Sequence, residues 1–192
     1  MESQNGIRDF LKNHPVVPVV KLEQLDVVIP LIKFLDHSGI NCIEITLRSN
    51  CALEAIKLAK KHAPSSFKIG VGTVIKREQL LAVIDAQVDF IVLPGLNCEL
   101  VELLQQTQIP FLPGAITPSE IMDALELGWD TLKFFPAHIA GGLEAIKTFG
   151  QVFPQVYFCP TGGITKENHR DYLALENVIS VGGSWVQKDF RI

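Results

Sequence analysis

FKIGVGTVIKREQLLAVIDAQVDFIVLPGLNCELVELLQQTQIPFL, residues 67–112, switches its hydrophobic period again and again. A β-rich run, Phe67 to Val74, gives way to helical spacing over Arg77 to Ala86. A short apolar run, Phe90 to Leu93, is closed by Pro94-Gly95, and helical spacing resumes over Glu99 to Gln106. The stretch ends on a further strand, Phe111-Leu112, before a Pro113-Gly114 turn. Short apolar runs bounded by Gly and Pro and separated by a helix's length mark βαβ units, which build parallel sheets.

The alternation extends in both directions. Towards the N-terminus lie an amphipathic helix over Gly6 to Asn13 and a strand over Val16 to Lys21. A helix over Leu25 to His37 follows, with Val28, Leu31, Ile32 and Leu35 on one stripe and Ser38-Gly39 at its end. Then come a strand over Cys42 to Arg48 and a helix over Ala52 to His62. Towards the C-terminus, Thr117-Pro118-Ser119-Glu120 opens a helix with an N-cap threonine, proline at the first helical position and glutamate at the third, a capping box. Strands follow at Thr131 to Ala137, Val156 to Cys159 and Val178 to Val181. Eight such units predict one α/β domain over residues 1–192, a (β/α)8 TIM barrel with an extra N-terminal helix. A doubly wound open sheet is the structural alternative. Too few residues follow Trp185 for a full last helix, so either the chain is truncated there or another subunit covers the last strand.

Composition narrows the function. With 47% hydrophobic and 20% charged residues the chain can bury one sizeable core. A net charge of -4 without a basic cluster argues against a nucleic-acid or anionic-membrane partner. Met1 to Phe10 does not read as a secretory leader, and no apolar run approaches membrane-spanning length, so the expectation is a soluble, cytoplasmic protein. Cys42, Cys51, Cys98 and Cys159 lack C-x-x-C spacing and read as free thiols; with the five histidines scattered, no metal site is expected.

Two strands carry chemistry. Thr131-Leu132-Lys133-Phe134-Phe135-Pro136-Ala137 sets a lysine in an apolar run. Desolvation favours the neutral amine, a nucleophile towards ketones, whereas the plain alternative is a strand lysine whose head reaches water. In Cys42 to Arg48, period two places Glu44, Thr46 and Arg48 on one face and Ile43, Ile45 and Leu47 on the other. The polar face belongs inside, as a structural ion pair or a site. By the same parity Lys133 and Phe135 face inward, and charges converging inside one barrel favour function over filling. Gly70-Val71-Gly72-Thr73 does not complete a dinucleotide fingerprint. The Gly162-Gly163 and Gly182-Gly183-Ser184 segments follow the last two strands, where such barrels bind phosphate, though glycine pairs also serve as turns.

The ordered set of segments resembles the 2-keto-3-deoxy-6-phosphogluconate (KDPG) aldolases, class I pyruvate aldolases of the Entner-Doudoroff pathway, over nearly the whole chain. The segments are Pro15-Val16-Val17-Pro18-Val19, Glu44-Ile45-Thr46-Leu47-Arg48, Gly70-Val71-Gly72-Thr73-Val74, Pro94-Gly95, Pro113-Gly114, Lys133-Phe134-Phe135-Pro136-Ala137, Cys159-Pro160-Thr161-Gly162-Gly163-Ile164 and Gly182-Gly183-Ser184-Trp185. The resemblance implies that Lys133 forms a Schiff base and that Glu44 is the general acid/base. It implies that Arg48 and Thr73 hold the pyruvate carboxylate and that Pro94, Phe135 and Thr161 shape the pocket. Gly162, Gly163, Gly183 and Ser184 would receive the phosphate. It further implies a phosphorylated keto acid and pyruvate as small-molecule partners, no metal or cofactor, and a homotrimer. The same imine chemistry on 2-keto-3-deoxy-6-phosphogalactonate, 4-hydroxy-2-oxoglutarate (KHG) or oxaloacetate is an alternative, as is a phosphate-binding barrel without turnover. The family carries a further helix after the Gly-Gly-Ser-Trp segment, from which this sequence departs.

Overall fold

The computed structural model describes residues 2–190. Helix α1 (Glu2–Asn13) precedes β1 (Val16–Val20), α2 (Val28–His37), β2 (Cys42–Thr46), α3 (Ala52–His62), β3 (Lys68–Gly72), α4 (Arg77–Asp85), β4 (Phe90–Val92) and α5 (Cys98–Gln106). There follow β5 (Phe111–Leu112), β6 (Gly114–Ala115), α6 (Pro118–Glu126), β7 (Thr131–Phe134), α7 (Gly142–Val152), β8 (Tyr157–Pro160), α8 (His169–Leu173), β9 (Val181–Gly183) and α9 (Trp185–Asp189).

All strand pairing is parallel, in two arcs rather than the one ring expected. A six-stranded sheet runs β5-β4-β3-β2-β1-β9 and a three-stranded one β6-β7-β8. The division falls at Pro113, where the sequence reads as a turn. Proline offers no N–H to a ladder, but the Pro113 carbonyl accepts from Lys133 N at 2.8 Å. The chain therefore steps from β5 into β6 without reversing. Isolated parallel bridges, Phe158 to Val178 and Thr161 to Gly182, link β8 to the segment entering β9 and to β9 itself.

The last strand is also displaced. It spans Val181–Gly183 instead of Val178 to Val181, so Gly182 and Gly183 are strand residues and not a following loop. Side chains there would collide with Thr161 and with the Trp185 ring, which is why a strand of poor β-formers stands at this place. Trp185–Asp189 forms a short helix where none was expected.

Helical stripes cover the outer faces of the strands. Val28, Leu31, Ile32 and Leu35 of α2 are buried as the spacing predicts, joining Ile43, Ile45, Val71, Ile91, Leu132, Phe134 and Phe158 in the larger core. Each fully buried Leu or Ile contributes about 2 kcal/mol by its removal from water. The Thr117 and Glu120 capping box forms as read.

A second, smaller core lies on the opposite faces of the strands. Val17, Cys42, Phe90, Val92, Leu112 and Cys159 meet there, closed from below by Ile7 and Leu11 of α1. Gln4 ties α1 across the division between the arcs, donating to Phe111 O at 3.0 Å and accepting from Thr131 N at 3.3 Å. Arg8 pairs with Asp130, donates to Thr131 Oγ1 at 3.1 Å and lies over the Tyr157 ring. The helix is thus a stopper at the N-terminal ends of the strands, and the polar residues lie above it. Among the described residues no helix is long and apolar enough to cross a membrane.

Candidate active site

Lys133 and Glu44 meet above the stopper. The Lys133 Nζ lies 3.4 Å from Glu44 Oε1, and the two side chains are 6% and 4% exposed. Register explains the meeting. Lys133 stands between Gly114 and Cys159 on the neighbouring strands, and Glu44 between Val19 and Gly70. Small inward neighbours leave room for two long polar side chains, while Leu132, Phe134, Ile43 and Ile45 alternate onto the outer core. Snorkelling to water is excluded for this lysine by its burial. Gly72 completes the arrangement, since a Cβ there would overlap the Glu44 carboxylate.

The space beneath the pair is apolar. Burial pushes the Cys159 thiol up to about 12; Lys133 opposes the rise, Glu44 adds to it, and hydrogen bonds with Ser180 and Thr161 oppose it. Burial likewise raises Cys42 to about 12, with Cys159 adding to the effect. All four thiols are free. The Phe135 ring, half-buried, lies 5.1 Å from the Lys133 Nζ, within cation–π range.

Arg48 departs from the expectation of an inward side chain. It is exposed at the C-terminal end of β2, where its Nε donates to Thr46 Oγ1 at 3.1 Å. Thr46 in turn donates to Val20 O at 2.9 Å. This fixed hydroxyl anchors the guanidinium at the C-terminal ends of the strands, the mouth of the fold. Thr73 follows Gly72 at φ +63°, an outlier for a β-branched residue, and is half-buried. Pro94 is half-buried at the end of β4, its backbone packed where a Gly114 side chain would stand.

Thr161 is buried at the end of β8, its bridge to Gly182 setting the two glycine segments side by side. Gly162 and Gly163 adopt φ +90° and +77°, which L side chains resist. Gly163 and Ser184 are exposed, whereas Gly183 is buried within β9. The positioning roles of Gly72 and Thr46 escaped the sequence reading; their signal, glycine and threonine opposite a buried charge, emerges only with the register. A surface depression of about 670 Å³ is lined by Lys147, Tyr157 and Asn177 at the other ends of the strands, away from this pair.

A buried amine beside a buried carboxylate, with an exposed arginine just past the C-terminal end of β2, is suited to attack on a keto acid. The family described as KDPG and KHG aldolase matches residues 7–191. The chain belongs to this family. The KHG/KDPG aldolase of Escherichia coli K12 is 42% identical over 183 residues, covering 95% of this chain and 85% of that protein. The KDPG aldolase of Legionella pneumophila, solved with pyruvate captured at low pH as a covalent carbinolamine intermediate, superposes with a TM-score of 0.90 at 39% identity, covering 95% of this chain and 91% of that one. That of Zymomonas mobilis ZM4, solved with 3-phosphoglycerate, gives 0.88 at 40% identity, covering 93% of this chain and 85% of that one. Family membership makes the chain an enzyme, a carbon–carbon lyase.

Proposed function

We propose that this aldolase cleaves KDPG to pyruvate and D-glyceraldehyde 3-phosphate through an imine on Lys133. The observation that carries the reading is the buried contact between Lys133 Nζ and Glu44 Oε1 at 3.4 Å. The carbinolamine trapped with pyruvate in the Legionella relative supports it.

The Lys133 amine attacks the C2 carbonyl, and loss of water leaves a protonated imine. Glu44, acting directly or through one water, removes the C4 hydroxyl proton. The C3–C4 bond breaks, its electron pair moves into the C2–N π system as an enamine, and C4 leaves as the aldehyde carbon. Glu44 returns its proton to C3. Water then hydrolyses the imine, releasing pyruvate and the free amine. The iminium is the electron sink throughout.

Arg48 and Thr73 hold the carboxylate, for which the guanidinium fork and a hydroxyl are matched donors. Phe135, Pro94 and Thr161 enclose the carbon chain. Backbone N–H groups of Gly162, Gly163 and Gly183, with the Ser184 hydroxyl, receive the phosphate; the 3-phosphoglycerate bound by the Zymomonas relative favours a phosphorylated ligand. The two sheet arcs act as one (β/α)8 barrel, supported by the bridges to β9 and the Pro113 carbonyl bond. A cytoplasmic homotrimer is the assembly we expect.

The double name of the Escherichia coli relative favours KHG as a second substrate. Pyruvate release coupled to a dehydrogenase, compared across KDPG, its galactonate epimer, KHG and oxaloacetate, tests the assignment. KDPG should give the highest kcat/KM, and a higher value for a non-phosphorylated keto acid would contradict it. Native mass measurement tests the trimer.

A further inference from the structure

His138 lies at the mouth, five residues beyond Lys133, and has no part in the chemistry described so far. Its N–H donates to Gly162 O at 3.1 Å. Its Cβ, Cγ and Nδ1 cover the side of Gly163 on which a side chain would stand, with Nδ1 3.0 Å from that position. The wall is continuous from the amine outward. Lys133 contacts the Phe135 ring, the Phe135 Cδ2 lies 3.4 Å from the corresponding position of Gly162, and Gly163 abuts the imidazole.

The ring is exposed and uncommitted. His14, His37 and His169 each direct Nδ1 at a carbonyl near in sequence, at 2.7, 2.6 and 2.8 Å. The His138 ring makes no hydrogen bond among the described residues. A phosphate at the glycine loop carries up to two negative charges. Arg48 belongs to the other end of the substrate, and Lys166, the next basic residue along the loop, is held by Asp189 at 3.3 Å. The backbone N–H groups and the Ser184 hydroxyl are neutral donors that leave that charge poorly matched, and an imidazole N–H is a further donor suited to it.

We propose that His138 is a specificity-determining residue that hydrogen-bonds the substrate phosphate beside Gly163. The inference rests on the assignment of the glycine loop as the phosphate end. Its test is kcat/KM for KDPG and for 2-keto-3-deoxygluconate, the same carbon chain without phosphate, in wild type, His138→Ala and His138→Gln. Wild type should prefer the phosphorylated substrate. His138→Ala should narrow that preference roughly tenfold, mainly through KM, and weaken inhibition by inorganic phosphate alongside it. His138→Gln, retaining an N–H donor, should recover part of the loss. An unchanged ratio in His138→Ala, or an equal loss on both substrates, overturns the role. A wild type indifferent to the phosphate would instead overturn the assignment of the loop, and His138 with it.

Discussion

The Glu44 carboxylate fills the place that a side chain on Gly72 would occupy. Glycine at this point of β3 is therefore a condition for the acid/base group to reach Lys133. Gly72→Ala should displace the carboxylate by about 1 Å and lower kcat about 100-fold. Steady-state kinetics beside circular dichroism checks this. A normal kcat in the folded variant would show that the carboxylate position is immaterial.

The buried pair predicts opposed effects of single and double substitutions. Lys133→Met leaves Glu44 buried without its cation and should cost about 3 kcal/mol of stability. Adding Glu44→Gln should restore most of it, while activity remains absent. Urea denaturation of the three proteins measures the coupling, and additive losses would mean that the two groups do not sense one another.

Thr73 trades stability for position. Its φ of +63° strains a β-branched residue, and Thr73→Gly should stabilise the fold by about 1 kcal/mol. The same substitution removes the hydroxyl assigned to the carboxylate, so the pyruvate Kd should rise. Thermal unfolding with and without pyruvate separates the effects. A destabilised variant with wild-type pyruvate affinity would contradict both.

The buried thiols set an alkaline limit. Cys42 and Cys159 ionise near 12 when folded, against an ordinary value of 9.0. Between those values the unfolded chain releases protons that the folded one retains, so stability is full below about pH 9 and is lost as pH rises towards 12. Each thiol contributes a slope of about 1.4 kcal/mol per pH unit there. Cys159→Ala should reduce the slope by one thiol's share. In the native protein, exposed Cys98 should react with a thiol reagent well before Cys42 or Cys159.

Much of this architecture was readable wherever local chemistry and tertiary packing agree. The stripe of α2 and the Thr117 capping box depend on near neighbours in sequence, so the pattern suffices. Glu44 and Lys133 were legible because period two leaves a strand residue only two faces to choose from. Pro113-Gly114 misled because proline's missing N–H looks like a turn, and only the partner donor at Lys133 shows the chain continuing. β9 was misplaced because glycine has little strand preference of its own; the space taken by Thr161 and Trp185 decides its place. Parity places Arg48 inside, but four residues past Glu44 the chain has left β2 at the C-terminal ends of the strands, and parity says nothing about depth.

The proposed mechanism stands on Lys133 as the nucleophile. Incubation with pyruvate and borohydride, followed by peptide mass spectrometry, tests it most directly. A single carboxyethyl adduct on Lys133, formed in step with loss of aldol cleavage and absent from Lys133→Met, is the predicted result. An adduct on another lysine, or undiminished turnover by Lys133→Met, would contradict it.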